Sequence, residues 1–182
     1  MFTGIIQAVG EVAAIEQTGG DVKLRIKTGA LPLEDVQLGD SIATNGVCLT
    51  VTELPGDGYW ADVSTETLSL TSLKSIVVGS AVNLEKSLTP TTALGGHLVS
   101  GHVDGLGRVV GLTRDARSWR VSIEAPADLA RYIAQKGSIC VDGTSLTVNA
   151  VEGARFELNI IPQTWEETVF SGYALGSEVN LE

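Results

Sequence analysis

Asn45-Gly46-Val47-Cys48-Leu49-Thr50-Val51 decides how the rest of this chain is read. An Asn-Gly step supplies positive-φ turn positions at low steric cost, so the stretch opens as a tight turn. Beyond the turn the side chains alternate. Val47, Leu49 and Val51 take one face of a strand, and Cys48 and Thr50 take the other. The pattern returns as Asp142-Gly143-Thr144-Ser145-Leu146-Thr147-Val148. There Thr144, Leu146 and Val148 share one face, and Ser145 and Thr147 the other. A thiol or hydroxyl followed two places on by threonine is therefore presented on one side of a strand, twice.

The offset between the copies, from 45 to 142, is 97 residues, and it holds along the whole chain. Gly4 matches Gly101, Gly10 matches Gly107, and Val12 matches Val109. Val22–Lys27 matches Trp119–Glu124, both alternating apolar and polar in the same phase, which is the signature of a half-buried strand. Tyr59, Ala61 and Val63 match Phe156, Leu158 and Ile160. Glu66-Thr67 matches Gln163-Thr164. Gly79–Glu85 matches Gly176–Glu182, both closing on Val-Asn-Leu-Glu. The chain is a duplication, with one module at 1–86, a linker at 87–96 containing Pro90 and a Gly-Gly pair, and a second module at 97–182. Each module reads as about six short strands between Gly, Asn and Asp turns, hence a small antiparallel barrel or sandwich. A helix is predicted over Pro126–Lys136, with Pro in its first turn and Gly137 as its stop. Its counterpart is predicted over Leu31–Leu38, and short helical turns are predicted after Thr67 and Thr164.

The composition removes whole classes of function. The 182 residues carry a formal charge of −10, and 43% are hydrophobic. An acidic chain without clustered Lys and Arg is a poor partner for nucleic-acid phosphates or an anionic membrane. No run approaches the roughly 18 apolar residues of a membrane span. The N-terminus has no basic flank of a secretion signal. Cys48 and Cys140 fit no CxxC pattern, and Ser145 stands where a second Cys48 would be, so a reduced, cytoplasmic protein is expected.

Both histidines fall in Gly95-Gly96-His97-Leu98-Val99-Ser100-Gly101-His102-Val103-Asp104. On an extended strand their spacing puts them on opposite faces, and zinc wants three or four ligands, so they do not make a metal site. His97 reads as a turn cap or as a partner for the linker backbone. His102 is more informative, because Ile5 occupies its place in the first module. The modules also differ at Cys48 against Ser145, Asn45 against Asp142, and Glu66 against Gln163. Differences on matched polar positions describe two pockets of one shape with different roles.

Taken together, Met1-Phe2-Thr3-Gly4-Ile5-Ile6, the NGVCLTV and DGTSLTV pair, GGHLVSGHVD and the two VNLE endings resemble the riboflavin synthases of the trimeric, lumazine-dismutating type. The resemblance covers essentially the whole chain. It implies an all-β fold of two tandem six-stranded antiparallel Greek-key barrels, each binding one 6,7-dimethyl-8-ribityllumazine. A four-carbon unit passes between the two lumazines, giving riboflavin and 5-amino-6-ribitylaminouracil, with no metal or redox cofactor. A reaction between two copies of one substrate gives a duplicated pocket its physical sense.

Carried onto this sequence, the family's pocket falls on Ser41, Cys48, Thr50, Glu66 and Thr67 in the first module. In the second it falls on Ser138, Asp142, Ser145, Thr147, Gln163 and Thr164. Phe2 and Thr3 are expected to shape the first pocket. Such donors and acceptors suit a ribityl chain and a pteridine edge. His102 is the candidate for the proton of the acidic 7-methyl group, with Cys48 or Ser145 assisting addition at the neighbouring carbon. The residues alone do not choose the base or the nucleophile. The resemblance further implies a homotrimer, with the working site between the first barrel of one subunit and the second of its neighbour, and association with lumazine synthase. Family members continue past the second VNLE into an amphipathic C-terminal helix, whereas this sequence stops at Glu182. Weaker assembly and activity, with individual pockets still able to bind ligand, are therefore expected. The competing reading is a non-catalytic lumazine or flavin carrier of the same fold, which needs only one good pocket.

Overall fold

A computed structural model describes all 182 residues. In the first module six strands form: β1 (Ala8–Thr18), β2 (Asp21–Lys27), β3 (Ser41–Thr44), β4 (Val47–Glu53), β5 (Gly58–Val63) and β6 (Ala81–Lys86). They close into an antiparallel barrel in the order β1-β2-β5-β4-β3-β6. The second module repeats this with β7 (Gly105–Asp115), β8 (Ser118–Glu124), β9 (Ser138–Val141), β10 (Thr144–Glu152), β11 (Arg155–Ile160) and β12 (Glu178–Leu181). Its order, β7-β8-β11-β10-β9-β12, is the same ring. β5 returns beside β2 and β6 closes the ring between β3 and β1, which is the Greek-key connection. No helix is long and apolar enough to cross a membrane.

The register irregularities repeat with the fold. Pairing slips between Val12 and Ala14 and between Val51 and Glu53, and again between Val109 and Gly111 and between Val148 and Ala150. A bulge bends its strand and adds twist, so a six-stranded sheet can curl shut at these places. Inside each barrel the alternating residues meet: Val12, Leu24, Ile26, Ile42, Tyr59 and Leu84 in the first, Val109, Val121, Ile123, Phe156, Leu158 and Leu181 in the second. One core pair differs in kind. The Tyr59 hydroxyl lies 2.5 Å from Thr44 Oγ1, both fully buried. At the matched positions the second barrel has Phe156 and Val141, also buried. The core accepts a hydroxyl pair or an apolar pair, because a single buried hydroxyl without a partner is costly.

The helix expected over Pro126–Lys136 is not formed. Only a 3-10 turn at Ala130–Tyr132 appears, and Leu31–Leu38 contains turns without a helix. The segment instead closes the barrel end. Lys136 N donates to Val148 O and Val148 N donates to Gly137 O, as Gly39 N does to Val51 O and Val51 N to Asp40 O. Those bonds to a neighbouring strand, together with Lys136 at φ +68, take the backbone away from helical pairing. The helical turns expected after Thr67 and Thr164 do exist but begin earlier, as α1 (Thr65–Leu70) and α2 (Pro162–Glu167). Ser64 caps α1 by accepting from Thr67 N, so the start is set two residues upstream of Thr67.

A pseudo-twofold arrangement joins the barrels. Phe2 and Val99, matched positions, bond to each other through their own backbones. The two Asx-Gly turns abut: a Cβ on Gly46 would lie 2.6 Å from Gly143 N, and one on Gly143 would lie 2.9 Å from Gly46 N. Asn83 Nδ2 donates to Asp142 O at 2.8 Å and Asn180 Nδ2 donates to Asn45 O at 2.8 Å. Their Oδ1 atoms accept Val169 N and Ser72 N across the same junction.

Candidate functional site

The β3–β4 hairpin sets Ser41 opposite Thr50 and Ala43 opposite Cys48. Cross-strand partners share a face, so Ser41, Cys48 and Thr50 line one outer surface of the first barrel. The β9–β10 hairpin does the same for Ser138, Ser145 and Thr147. The reason is local: the positive-φ turns at Asn45-Gly46 and Asp142-Gly143 fix the register that turns the apolar residues inward. α1 brings Glu66 and Thr67 to the rim, where a cleft of about 450 Å³ also contains Cys48, Gly101, His102 and Val103. The first mouth is thus built by both modules. Gly101 O accepts Cys48 N at 2.9 Å, and no side chain would fit there, since a Cβ on Gly101 would lie 2.7 Å from Cys48 Cβ.

The second mouth is the pseudo-symmetric counterpart. Gly4 O accepts Ser145 N at 2.7 Å, and α2 carries Gln163 and Thr164. His97, without a counterpart in the first module, comes within 2.6 Å of Ser145 Oγ through Nδ1. A strap at the start of the second module, residues 97–102, therefore supplies a histidine to each mouth, His102 beside Cys48 and His97 beside Ser145. Partial burial lowers the His97 pKa against the opposing field of the Glu182 carboxylate, which favours a neutral imidazole that can accept a proton from Ser145. Ser138 also borders a cleft of about 440 Å³ at the end of the second barrel, with Asp104 and Glu182.

Three of the residues expected at the pockets lie elsewhere. Phe2 is fully buried in a small cluster with Ala43, Val99 and Cys140, and Cys48 packs against it. Thr3 is buried, its hydroxyl donating to Glu85 Oε1 at 2.6 Å. Asp142 is buried at the junction, where Oδ1 accepts Asn180 N at 2.8 Å and Oδ2 accepts the Tyr173 hydroxyl. Burial raises its pKa to about 7, against those two hydrogen bonds. In the first module Asn45 takes its place, accepting Asn83 N at 2.7 Å, and Ile76 replaces Tyr173. These three residues frame the mouths from behind. Glu85 and Glu182 were legible only as the ends of the repeated VNLE, and their role appears with the strap contacts. Both cysteines are free, and no cluster of three or more His, Cys, Asp or Glu is arranged to hold a metal.

Two barrels, each with a hydroxyl- or thiol-bearing hairpin face, a helix rim and a histidine from a shared strap, define a small-molecule-binding protein with a duplicated site. The family model described as the lumazine binding domain matches residues 3–87 and 100–182. A riboflavin synthase from Photobacterium phosphoreum is 49% identical over 182 residues, covering 100% of this chain and 84% of that protein. One from Bacillus subtilis is 41% identical with the same coverage. Among solved structures, LumP complexed with riboflavin superposes with a TM-score of 0.91 at 27% identity, covering 100% of this chain and 98% of that one. LumP complexed with 6,7-dimethyl-8-(1'-D-ribityl) lumazine gives 0.88 at 26% identity with the same coverage. The chain belongs to the riboflavin synthase family, built from two lumazine-binding domains.

Proposed function

We infer that this protein is a transferase that makes riboflavin from two molecules of 6,7-dimethyl-8-ribityllumazine, releasing 5-amino-6-ribitylaminouracil. One observation carries the reading: a single chain holds two matched mouths, each with its own hydroxyl or thiol and its own histidine. A carrier needs one such mouth. A dismutation of one substrate needs two, and holding both reactants removes the entropy of a chance encounter.

The units 1–86 and 97–182, joined through 87–96, each bind one lumazine. In the first, Ser41, Thr50, Glu66 and Thr67 hold the ligand beside Cys48 and His102. In the second, Ser138, Thr147, Gln163 and Thr164 hold it beside Ser145 and His97. Phe2, Thr3 and Asp142 support the hairpins from the junction. His102 takes the proton of the 7-methyl group of the lumazine in the first mouth, leaving the carbanion, with Cys48 lining the same cleft. In the second, Ser145 Oγ adds to the ring carbon that bears the 7-methyl group of its lumazine as its proton passes to the neutral His97. The working assembly is a cytoplasmic homotrimer in which the first barrel of one subunit faces the second of its neighbour, and it associates with lumazine synthase.

The test is incubation with the lumazine alone. Riboflavin and the pyrimidinedione should appear in equal amounts, without added metal or redox cofactor. Saturation of both barrels without any riboflavin would leave a carrier.

A further inference from the structure

Two buried or half-buried carboxylates sit behind the mouths without touching a ligand cleft's reactive group. Glu182 Oε1 accepts Ser100 N at 2.5 Å and Oε2 accepts Gly101 N at 2.9 Å. Gly101 O then accepts Cys48 N, and His102 N donates to Ser100 Oγ at 3.1 Å. The chain of bonds runs from the end of the second barrel, through the strap, to the hairpin of the first. The mirror image is complete. Glu85 Oε1 accepts Thr3 N at 2.7 Å, Oε2 accepts Gly4 N at 2.9 Å, and Gly4 O accepts Ser145 N. Ile5 N donates to Thr3 Oγ1 at 3.2 Å, as His102 N does to Ser100. Neither glutamate forms an ion pair with Lys or Arg. Each is held by adjacent backbone N–H groups, Glu182 by Ser100 and Gly101 of the strap and Glu85 by Thr3 and Gly4 of the N-terminal segment, a charge-assisted arrangement that orients the bound segment better than a neutral acceptor.

We propose that Glu182 and Glu85 are positioning residues that act crosswise. Glu182 of the second barrel sets His102 against Cys48 in the first mouth, and Glu85 of the first barrel sets the N-terminal segment Thr3-Gly4 against Ser145 in the second. This rests on the riboflavin synthase reading for its catalytic consequence, while the clamp itself does not depend on that reading. A purely structural role in holding the barrels together would act on both mouths alike. The crosswise clamp holds one hairpin amide at a time, even though the Glu182 charge also reaches His97 in the second mouth.

The experiment compares Glu182→Gln and Glu85→Gln by hydrogen exchange with residue resolution, alongside steady-state turnover. Glutamine keeps the shape and one acceptor but turns an NH₂ toward the second backbone N–H, leaving it unpaired. In Glu182→Gln the Cys48 amide should exchange roughly tenfold faster with Ser145 unchanged, the loss of a hydrogen bond to a charged group being large enough for this. Glu85→Gln should give the reverse. Glu182→Gln should also lower kcat by roughly tenfold with KM within about twofold, since its main effect is to displace a reacting group. Equal acceleration at both amides, or at neither, overturns the clamp, whether or not the protein makes riboflavin. A crosswise exchange pattern with kcat unchanged overturns only its catalytic consequence, and far-ultraviolet spectra of both variants identify any failure to fold.

Discussion

Asp142→Asn should flatten the pH dependence of stability. Asp142 is buried at the barrel junction, and its carboxyl pKa is raised from 3.8 to about 7. Its neighbours are the Asn180 backbone N–H and the Tyr173 hydroxyl, with Arg108 bordering the same groove. A group with a raised folded-state pKa binds more protons folded than unfolded. Its contribution is therefore complete below about pH 4 and is lost as the pH climbs through 7. The slope approaches 1.4 kcal/mol per pH unit across that window, and the sum is about 4 kcal/mol. Asparagine is a conservative replacement here, because Asn45 already serves the matched position and accepts Asn83 N. Tyr173 can turn its hydroxyl from donor to acceptor for the new NH₂. Urea unfolding of both proteins from pH 4.5 to 8 gives the difference directly, and other titrating groups cancel. The wild type should lose stability relative to Asp142→Asn steadily as the pH rises. Parallel curves, with a constant gap between the two proteins, would refute the buried protonated carboxyl.

Three further outcomes are expected. Gly46→Ala should cost about 2 kcal/mol or more, combining an unfavourable φ of +76 with a Cβ set 2.6 Å from Gly143 N, whereas Gly19→Ala, at φ +62 with open space, should cost only about 1 kcal/mol; thermal unfolding separates them. Thr44→Val strands the buried Tyr59 hydroxyl and should cost about 2 kcal/mol by chemical denaturation, and adding Tyr59→Phe should recover most of it, because the pair then matches Val141 and Phe156. His102→Ala should lower turnover by about a hundredfold and Cys48→Ala should lower it clearly, each with a smaller loss of lumazine affinity by fluorescence titration; equal losses in turnover and affinity would make these residues pocket walls only.

The duplication, the strand faces and the inward position of Leu24, Ile26, Tyr59 and Phe156 were legible in the sequence. A period of two and a fixed offset survive any packing arrangement. The Asx-Gly turns were legible for the same reason, since their φ values are set within two residues. The helices at 31–38 and 126–136 were misread because local Pro and Gly signals cannot report that a distant strand will claim the backbone N–H groups. Placement of Asp142 was hidden too. Its side chain is spent on Asn180 and Tyr173, which are far along the chain and come near only when the ring closes.

By itself the sequence determined two equivalent barrels, which hairpin face carries Cys48 or Ser145, and the family. Alternation and repetition are properties of one strand or one module. Only the tertiary structure decided that each mouth is completed by the other module, His102 of the second beside Cys48 and Gly4 of the first against Ser145, and that His97 meets Ser145 within the second. It alone gave the VNLE glutamates their backbone partners. Those pairings depend on how two closed barrels dock about a pseudo-twofold axis, and docking is a relation between surfaces that no stretch of chain contains.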